Sequence, residues 1–484
     1  MASNTERFTA EVTQAAQDTE DEVPKSPTQS HSGSGRSRSS SSASSPSDFD
    51  GSSDTSTIKY CQEPHEQFSQ FSQRVQKLCQ FLWSPERSIK YRFSNSQAVS
   101  RLRLNKFLRF IVPSSQTPLI ERLRGGDYNR VTGITLPLSY TEQERKLILR
   151  TPREEGTRPD RDVAILDYVR QRSSIPVATI AANDFSSDNP LGQPYVFQHR
   201  IPGTDLNLIW EELNHSQRCT VARELGNVIR TLLSMESPFT GIVDAKPNNA
   251  DIVMSPTIVP FELKSGNGDL LEDQYPQNPS ETGAPRTRQT TIDFFRSQFA
   301  RWRAYAVDRN GGDGNHQTDF IDSMLKVAQE MDDLGLFKTD MNCLCHVDLH
   351  TRNIMVEVQP DSTLKVTAIL DWDEAIFAPK IVACKPPGWL WGYDVNGQTG
   401  ELTWPFEQKG ANDLPSTPES QELKHIFEAY AGPEYPNLAY DDTSRLGRGL
   451  FRVAQLGLGD TAYYNAGERI IEEWEALRQS LTQI

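Results

Sequence analysis

Two short apolar runs, Met341 to Cys345 and Ile354 to Val358, enclose the polar block His346-Val-Asp348-Leu-His350-Thr-Arg-Asn353. Aliphatic runs on both sides read as strands, so the block is a loop between strands rather than a piece of helix. A third run, with Leu364, Val366, Ala368, Ile369 and Leu370, leads straight into Asp371-Trp-Asp373. This 342–375 stretch folds as a short hairpin unit, and the third run brings a carboxylate to a strand end, a position that suits the mouth of a cleft.

Asp348 and Asn353 have the spacing D-x-x-x-x-N, in which a proton-accepting Asp stands beside an Asn that ligates a metal. Under a phosphoryl-transfer reading Asp348 takes the proton of an attacking hydroxyl, and Asn353 and Asp371 hold Mg2+ against the phosphates. His346 is then a structural support. His346 and His350 are four apart, which also suits zinc on a helix. The flanking strands disfavour that alternative.

Upstream, the pattern is several short strands around one helix. Leu119 to Leu123 leads through Arg-Gly125-Gly126-Asp-Tyr-Asn129-Arg to Val131, Gly133 to Leu136 returns, and Lys146 to Arg150 is the next strand. Asp162 to Arg170 reads as a helix and Tyr195 to Phe197 as a further strand, ended by Ile201-Pro202-Gly203. Gly125-Gly126 is either a plain hairpin turn or a turn whose bare backbone approaches a triphosphate. Val131 on its exit can roof an adenine. Arg150, with Ile148 on the same face, can reach phosphate oxygens as a fixed cation. Asp162 is either an ordinary N-terminal helix acid or the partner that orients Arg150.

From Leu206 onward the spacing of apolar residues is helical over 206–236, 292–307, 317–337 and 445–481, as it is for Phe68 to Leu82 near the start. Residues 243–290, rich in Pro, Asn, Gly and Ser, read as a long loop excursion. Residues 1–57 hold almost no large apolar side chains and read as a disordered Ser-rich tail. The expected fold is therefore α+β and bilobal, with a small antiparallel-sheet N-lobe over 58–202 and a mostly helical C-lobe over 203–484.

The net charge of −15 and the lack of a Lys/Arg stripe interleaved with aromatics disfavour nucleic-acid binding. Nothing marks membrane spanning or secretion. The six cysteines show no C-x-x-C pair, and Cys343 and Cys345 fit a core better than a bridge. The expected location is cytoplasmic.

The block His346-x-Asp348-Leu-His350-x-x-Asn353 with Ile369-Leu-Asp371-Trp-Asp373 resembles the motifs of the aminoglycoside phosphotransferase and choline kinase group, which has a protein-kinase-like fold. The Gly-Gly-x-x-Asn-Arg turn, the Leu-Arg-x-Pro strand, the Tyr195-to-Gly203 hinge and Lys385-Pro-Pro-x-Trp-Leu390 are similar to the fungal phosphotransferase-like branch. The resemblance covers about 60–480. It implies transfer of the γ-phosphate of ATP to a hydroxyl of a small molecule. It also implies that backbone groups of Gln198, His199 and Arg200 bind the adenine edge. Arg150 stands where most kinases have Lys, Asp162 where Glu is usual, and Asn129 in place of a loop glycine. Val347 stands where protein kinases carry the Arg that grips an activation loop, which favours a small acceptor. Glu211, Glu212, Asp373 or Glu374 would suit a cationic one. A pseudokinase-like scaffold and a protein kinase are the alternatives.

Overall fold

The computed structural model describes residues 67–83, 117–123, 129–138, 140, 145–153, 158–246, 255–261, 288–309, 315–337, 342–392, 411–457 and 461–481. The Ser-rich tail, the Gly125-Gly126 turn and Met341 lie outside them.

The first helix, α1 (Phe68–Trp83), presents Phe71, Val75, Leu78 and Cys79 on one buried face, the 3-4 spacing read from the sequence. That face covers an antiparallel sheet formed by β1 (Leu119–Arg122), β2 (Asn129–Leu136) and β3 (Arg145–Pro152), followed after α2 (Pro159–Arg172) by β4 (Ile180–Asp184) and β5 (Tyr195–His199). The strand order is β1-β2-β3-β5-β4. Ile134, Leu136, Leu147, Leu149, Tyr195 and Phe197 meet α1 in a small separate core. Period-2 alternation does this, because odd and even positions of each strand go to opposite faces.

In this part of the chain two features differ from the sequence expectation. Strand β4 was not anticipated; it pairs with β5 at the sheet edge. Helix α2 was grouped with the small sheet, yet Ala164, Ile165, Leu166, Tyr168 and Val169 belong to the larger core, and Tyr168 meets Phe377 edge-on at 5.7 Å.

Beyond the hinge the chain makes β6 (Thr204–Asp205), the short α3 (Leu206–Ile209), and α4 (His215–Ser234). The helical pattern over 206–236 is interrupted at Leu213-Asn214, where Asn214 and Gln217 form a capping box for α4. Next come β7 (Glu236–Ser237), β8 (Ile242–Lys246) and β9 (Ser255–Val259). β8 and β9 pair as a hairpin inside the span read as a loop excursion. Helices α5 (Thr291–Arg309) and α6 (Asn315–Asp333) precede the block, which consists of β10 (Asn342–Cys345), β11 (Ile354–Val358) and β12 (Leu364–Ile369). β13 (Ile376–Pro379) and α7 (Lys380–Ala383) follow, then α8 (Pro418–Ala431), α9 (Tyr435–Tyr440), α10 (Asp442–Leu456) and α11 (Thr461–Leu481). The chain is thus α+β with two cores, as expected.

Small sheets aim the block. β10 lies between β13 and β7, whereas β11 lies between β12 and β6. The hinge therefore runs directly into the sheet that follows the Asp348 loop: Val356 pairs with Thr204 and Met355 with Asp205. Gly203 has φ +97°, and a Cβ there would meet the Val356 carbonyl oxygen at 2.1 Å. Only glycine permits that approach.

Candidate active site

The polar block leaves β10 at His346, which is 2% exposed. Its Nε2 lies 2.7 Å from the Leu370 carbonyl oxygen, and its ring meets Trp372 edge-on at 4.6 Å. A protonated Nε2 donating to that carbonyl ties the first loop to the second. Burial lowers the His346 pKa more than the Leu370 carbonyl and the nearby carboxylates raise it, so the ring is neutral. Two residues in these loops have left-handed backbones: Val347 at φ +59° and Asp371 at φ +62°. Such conformations in non-glycine residues cost on the order of 1 kcal/mol and mark constrained sites.

Asp348 is held from two directions. Asn353 Nδ2 donates to its carboxylate at 2.9 Å and to its backbone carbonyl at 2.8 Å. Arg352 Nη2 reaches both carboxylate oxygens, at 3.0 and 2.8 Å. Burial pushes the Asp348 pKa up, but Arg352 and His350 outweigh it and hold the carboxyl below its ordinary value. The Asn353 amide nitrogen is committed to Asp348, so its Oδ1 is the atom left to serve a cation. The backbone of Asn353 also accepts from the Leu370 N–H at 2.8 Å, which fixes Asp371 across from it.

Asp371 has the opposite titration behaviour. Burial, then the neighbouring Asp373, push its pKa up to about 6 against the pull of Arg150, with Asp348 and Glu374 adding to the repulsion. This is a group of carboxylates with too little positive charge among the protein's own side chains.

The sheet supplies the opposite side. Val131 pairs with Arg150, Gly133 with Ile148 and Ile148 with Gln198, which places Val131, Ile148, Arg150 and Gln198 on one face, away from the α1 core. Arg150 Nη2 donates to Asp373 at 2.7 Å. Burial alone would lower the Arg150 pKa; Asp373, Asp162 and Asp371 together raise it. Asp162, in the first turn of α2, thus acts on Arg150 through its charge, while Asp373 takes the 2.7 Å bond. The backbone N–H groups of His199 and Arg200 donate to the Thr179 and Lys146 carbonyls, both at 2.9 Å. The Arg200 side chain pairs with Glu121 of β1.

Four residues enter the site that the sequence reading placed elsewhere or passed over. Arg352 grips Asp348, and its position four residues on was the available signal. Asn129 is the first residue of β2, buried, with Nδ2 3.4 Å from Asp373. Asp373 and Glu374, considered above for a cationic acceptor, are bound to Arg150 and to Arg452 (2.8 Å) respectively. They serve the structure of the site.

A model of the phosphotransferase enzyme family matches residues 138–379, half of the chain. The chain belongs to that family. In this phosphotransferase family member the matched stretch takes in β3, the hinge, Asp348, Asn353 and Asp371, and it stops at the end of β13. Two curated relatives, subtelomeric hrmA-associated cluster proteins from two strains of Aspergillus fumigatus, are each 20% identical over an alignment of 343 residues that covers 61% of this chain. The chain spans 65% of the length of those relatives. Among solved structures, a thermostable mutant of the aminoglycoside phosphotransferase APH(4)-Ia is 14% identical, covering 74% of this chain and 95% of that one at a TM-score of 0.39. The ethanolamine kinase of Plasmodium vivax is 11% identical, covering 74% and 81% at 0.37. Among the described residues of this family member, no helix is long and apolar enough to cross a membrane.

Proposed function

We propose that this protein transfers the γ-phosphate of ATP to a hydroxyl of a small molecule, with Asp348 as the base and Mg2+ as the metal. The observation that carries the reading is the junction of the two loops. Asn353 holds Asp348 through its side chain and, through its backbone carbonyl, accepts from the Leu370 N–H next to Asp371, opposite the sheet face that carries Arg150. The donor set fits a hard dication: the Asn353 amide oxygen and the Asp371 carboxylate are oxygen ligands, and burial followed by the charge of Asp373 raises the Asp371 pKa, a combination that a bound cation would relieve. Bound Mg2+ would neutralise phosphate charge that builds as the bond breaks.

The chain's own residues divide the remaining work. Asp348, ionised at neutral pH, orients the acceptor hydroxyl and takes its proton. Arg352 and Asn353 fix its rotamer. Arg150, anchored by Asp373, offers fixed positive charge to phosphate oxygens. Val131 and Ile148 supply an apolar face for the purine. Because the His199 and Arg200 N–H groups are already committed, a purine edge at Gln198–Arg200 must use other atoms of that segment. Val347 supports a small acceptor over a protein one.

The test is turnover of ATP with Mg2+ against a panel of hydroxyl-bearing aminoglycosides, amino alcohols and sugars, with Asp348→Asn beside the wild type. The expected result is a phosphorylated product whose rate falls at least ~10²-fold in the variant while nucleotide binding persists. Equal turnover in Asp348→Asn would overturn the assignment, as would the absence of any nucleotide-induced thermal shift.

A further inference from the structure

Far from the loops just described, α4 and α8 share a group of side chains that the proposed reaction does not use. His215 is the first residue of α4, and Cys219 follows four residues later on the same helical face. Glu422 stands one turn into α8. His215 Nε2 lies 2.8 Å from Glu422 Oε2 and 3.4 Å from Cys219 Sγ. One donor atom from each of the three falls within 4.8 Å of the others, and among the described residues no other trio of His, Cys, Asp or Glu does this.

The bland account is a His–Glu ion pair beside a buried thiol. It leaves one feature without purpose. A single ring nitrogen faces both an oxygen and a sulfur, and its one proton can satisfy only one of them. A metal at the point of convergence uses all three. In tetrahedral zinc sites, with metal–ligand bonds of about 2.0–2.3 Å, neighbouring ligand atoms lie roughly 3.3–3.5 Å apart. The sulfur–nitrogen separation here already has that value, and the nitrogen–oxygen pair must open by about half an ångström.

We propose that His215, Cys219 and Glu422 form a zinc site that staples the N-terminal turns of α4 and α8, with water as the fourth ligand. The donor set selects the ion: a thiolate with an imidazole suits zinc, whereas magnesium and calcium take oxygen ligands. Thiolate and carboxylate together balance the charge of Zn2+. Access fits as well, since the His215 and Glu422 side chains are 37% and 57% exposed while Cys219 lies buried beneath them.

The scaffold is ready for such a staple. A Cβ on Gly226 of α4 would meet the Phe427 carbonyl oxygen of α8 at 2.5 Å, so the helices touch backbone to backbone two turns beyond the cluster. At the same end of α4, Gln217 donates to the Ser362 carbonyl in the β11–β12 turn at 3.0 Å. Zinc at this end would therefore brace the hairpin that leads to Asp371 without touching the reacting groups.

The experiment uses the full chain, stripped with a chelator and titrated without nucleotide, so that its outcome is independent of the proposed reaction. Zinc competing against a chromophoric chelator should bind one equivalent with Kd at or below about 1 μM. Cobalt(II) in its place should give a sulfur-to-metal charge-transfer band, which a site made of oxygen ligands cannot produce. Cys219→Ser should abolish the band, and His215→Gln and Glu422→Gln, both at exposed positions, should each weaken zinc by at least ~10-fold. Glu419→Gln, one turn away on α8, should change nothing. Zinc should also raise Tm in the wild type, and by less in His215→Gln at the same zinc concentration. Absence of a stoichiometric site, a missing cobalt band, or undiminished zinc affinity in His215→Gln would each overturn the proposal.

Discussion

Arg150 on β3 donates to Asp373 across a sequence separation of 223 residues, and this bond joins the sheet face to the loop that carries Asp371. Both side chains are largely buried, at 18% and 14% exposure. Removing either leaves the other charge in a poorly solvated place, which costs more than the pair contributes. Arg150→Ala and Asp373→Ala are each expected to destabilise by about 2 kcal/mol, and the double variant by less than their sum, with a coupling of about 1 kcal/mol. Chemical denaturation of the four proteins measures it. Additive losses would show that the two charges act independently.

Asp371 predicts an inverted pH response. Its pKa, raised to about 6 by burial and then by Asp373, means that the folded protein holds this proton more tightly than the unfolded chain. Its contribution to stability is complete below the unfolded carboxylate pKa and is lost as pH rises through about 6. Asp371 is itself exposed to solvent, so screening reduces the cost of the ionised group at neutral pH to on the order of 1 kcal/mol; Asp371→Asn should raise the Tm of the metal-free protein at pH 7, raise it less at pH 5, and leave it little changed below the ordinary carboxylate pKa. Buried neutral His346 works in the opposite direction over the same window, so the difference between variant and wild type is the quantity to follow. Magnesium should stabilise the wild type more than the variant.

The loops were legible because apolar runs on both sides fixed them as strand ends, and the polar spacing between those ends has few other uses. The partner of Arg150 was not. Sequence order suggests Asp162 on the next helix, whereas the bond goes to Asp373, which only the meeting of two sheets brings close. β4 (Ile-Ala-Ala-Asn-Asp) lacks the β-branched and aromatic enrichment of a strand and exists by pairing with β5. The neighbour of α2 was hidden for a related reason. Its buried residues Ala164, Ile165, Leu166, Tyr168 and Val169 face several directions, so their spacing names a helix without naming the core it joins.

Gly203 permits a paired test of the hinge. Its φ of +97° and the 2.1 Å approach to the Val356 carbonyl oxygen mean that any Cβ must push β6 away from β11. Gly203→Ala is expected to cost more than about 2 kcal/mol and to lower turnover, since β11 begins next to Asn353. Gly392 also has a positive φ, +75°, but among the described residues nothing lies within 4 Å of its Cβ position. Gly392→Ala should therefore cost only the left-handed penalty, about 1 kcal/mol. Urea unfolding of both variants separates steric contact from backbone conformation. Equal losses would mean that the contact with Val356 relaxes freely.

Arg352 sets the acid limit of the proposed reaction. Asp348 is pushed up by burial and brought back below its ordinary pKa first by Arg352, then by His350. A base with a lowered pKa remains ionised until the pH falls well below neutrality, so the acid limb of kcat/KM should lie low in the wild type. Arg352→Ala removes the larger of the two opposing charges and leaves burial to dominate, which moves that limb to higher pH. The Arg352 side chain is 62% exposed, so water and salt screen its effect and the shift should be small, and smaller still at high ionic strength. Arg352→Lys, retaining the charge without the two-oxygen grip, should restore the limb while kcat stays reduced. A pH profile that is unchanged in Arg352→Ala would show that Asp348 does not carry the titration seen in kcat/KM.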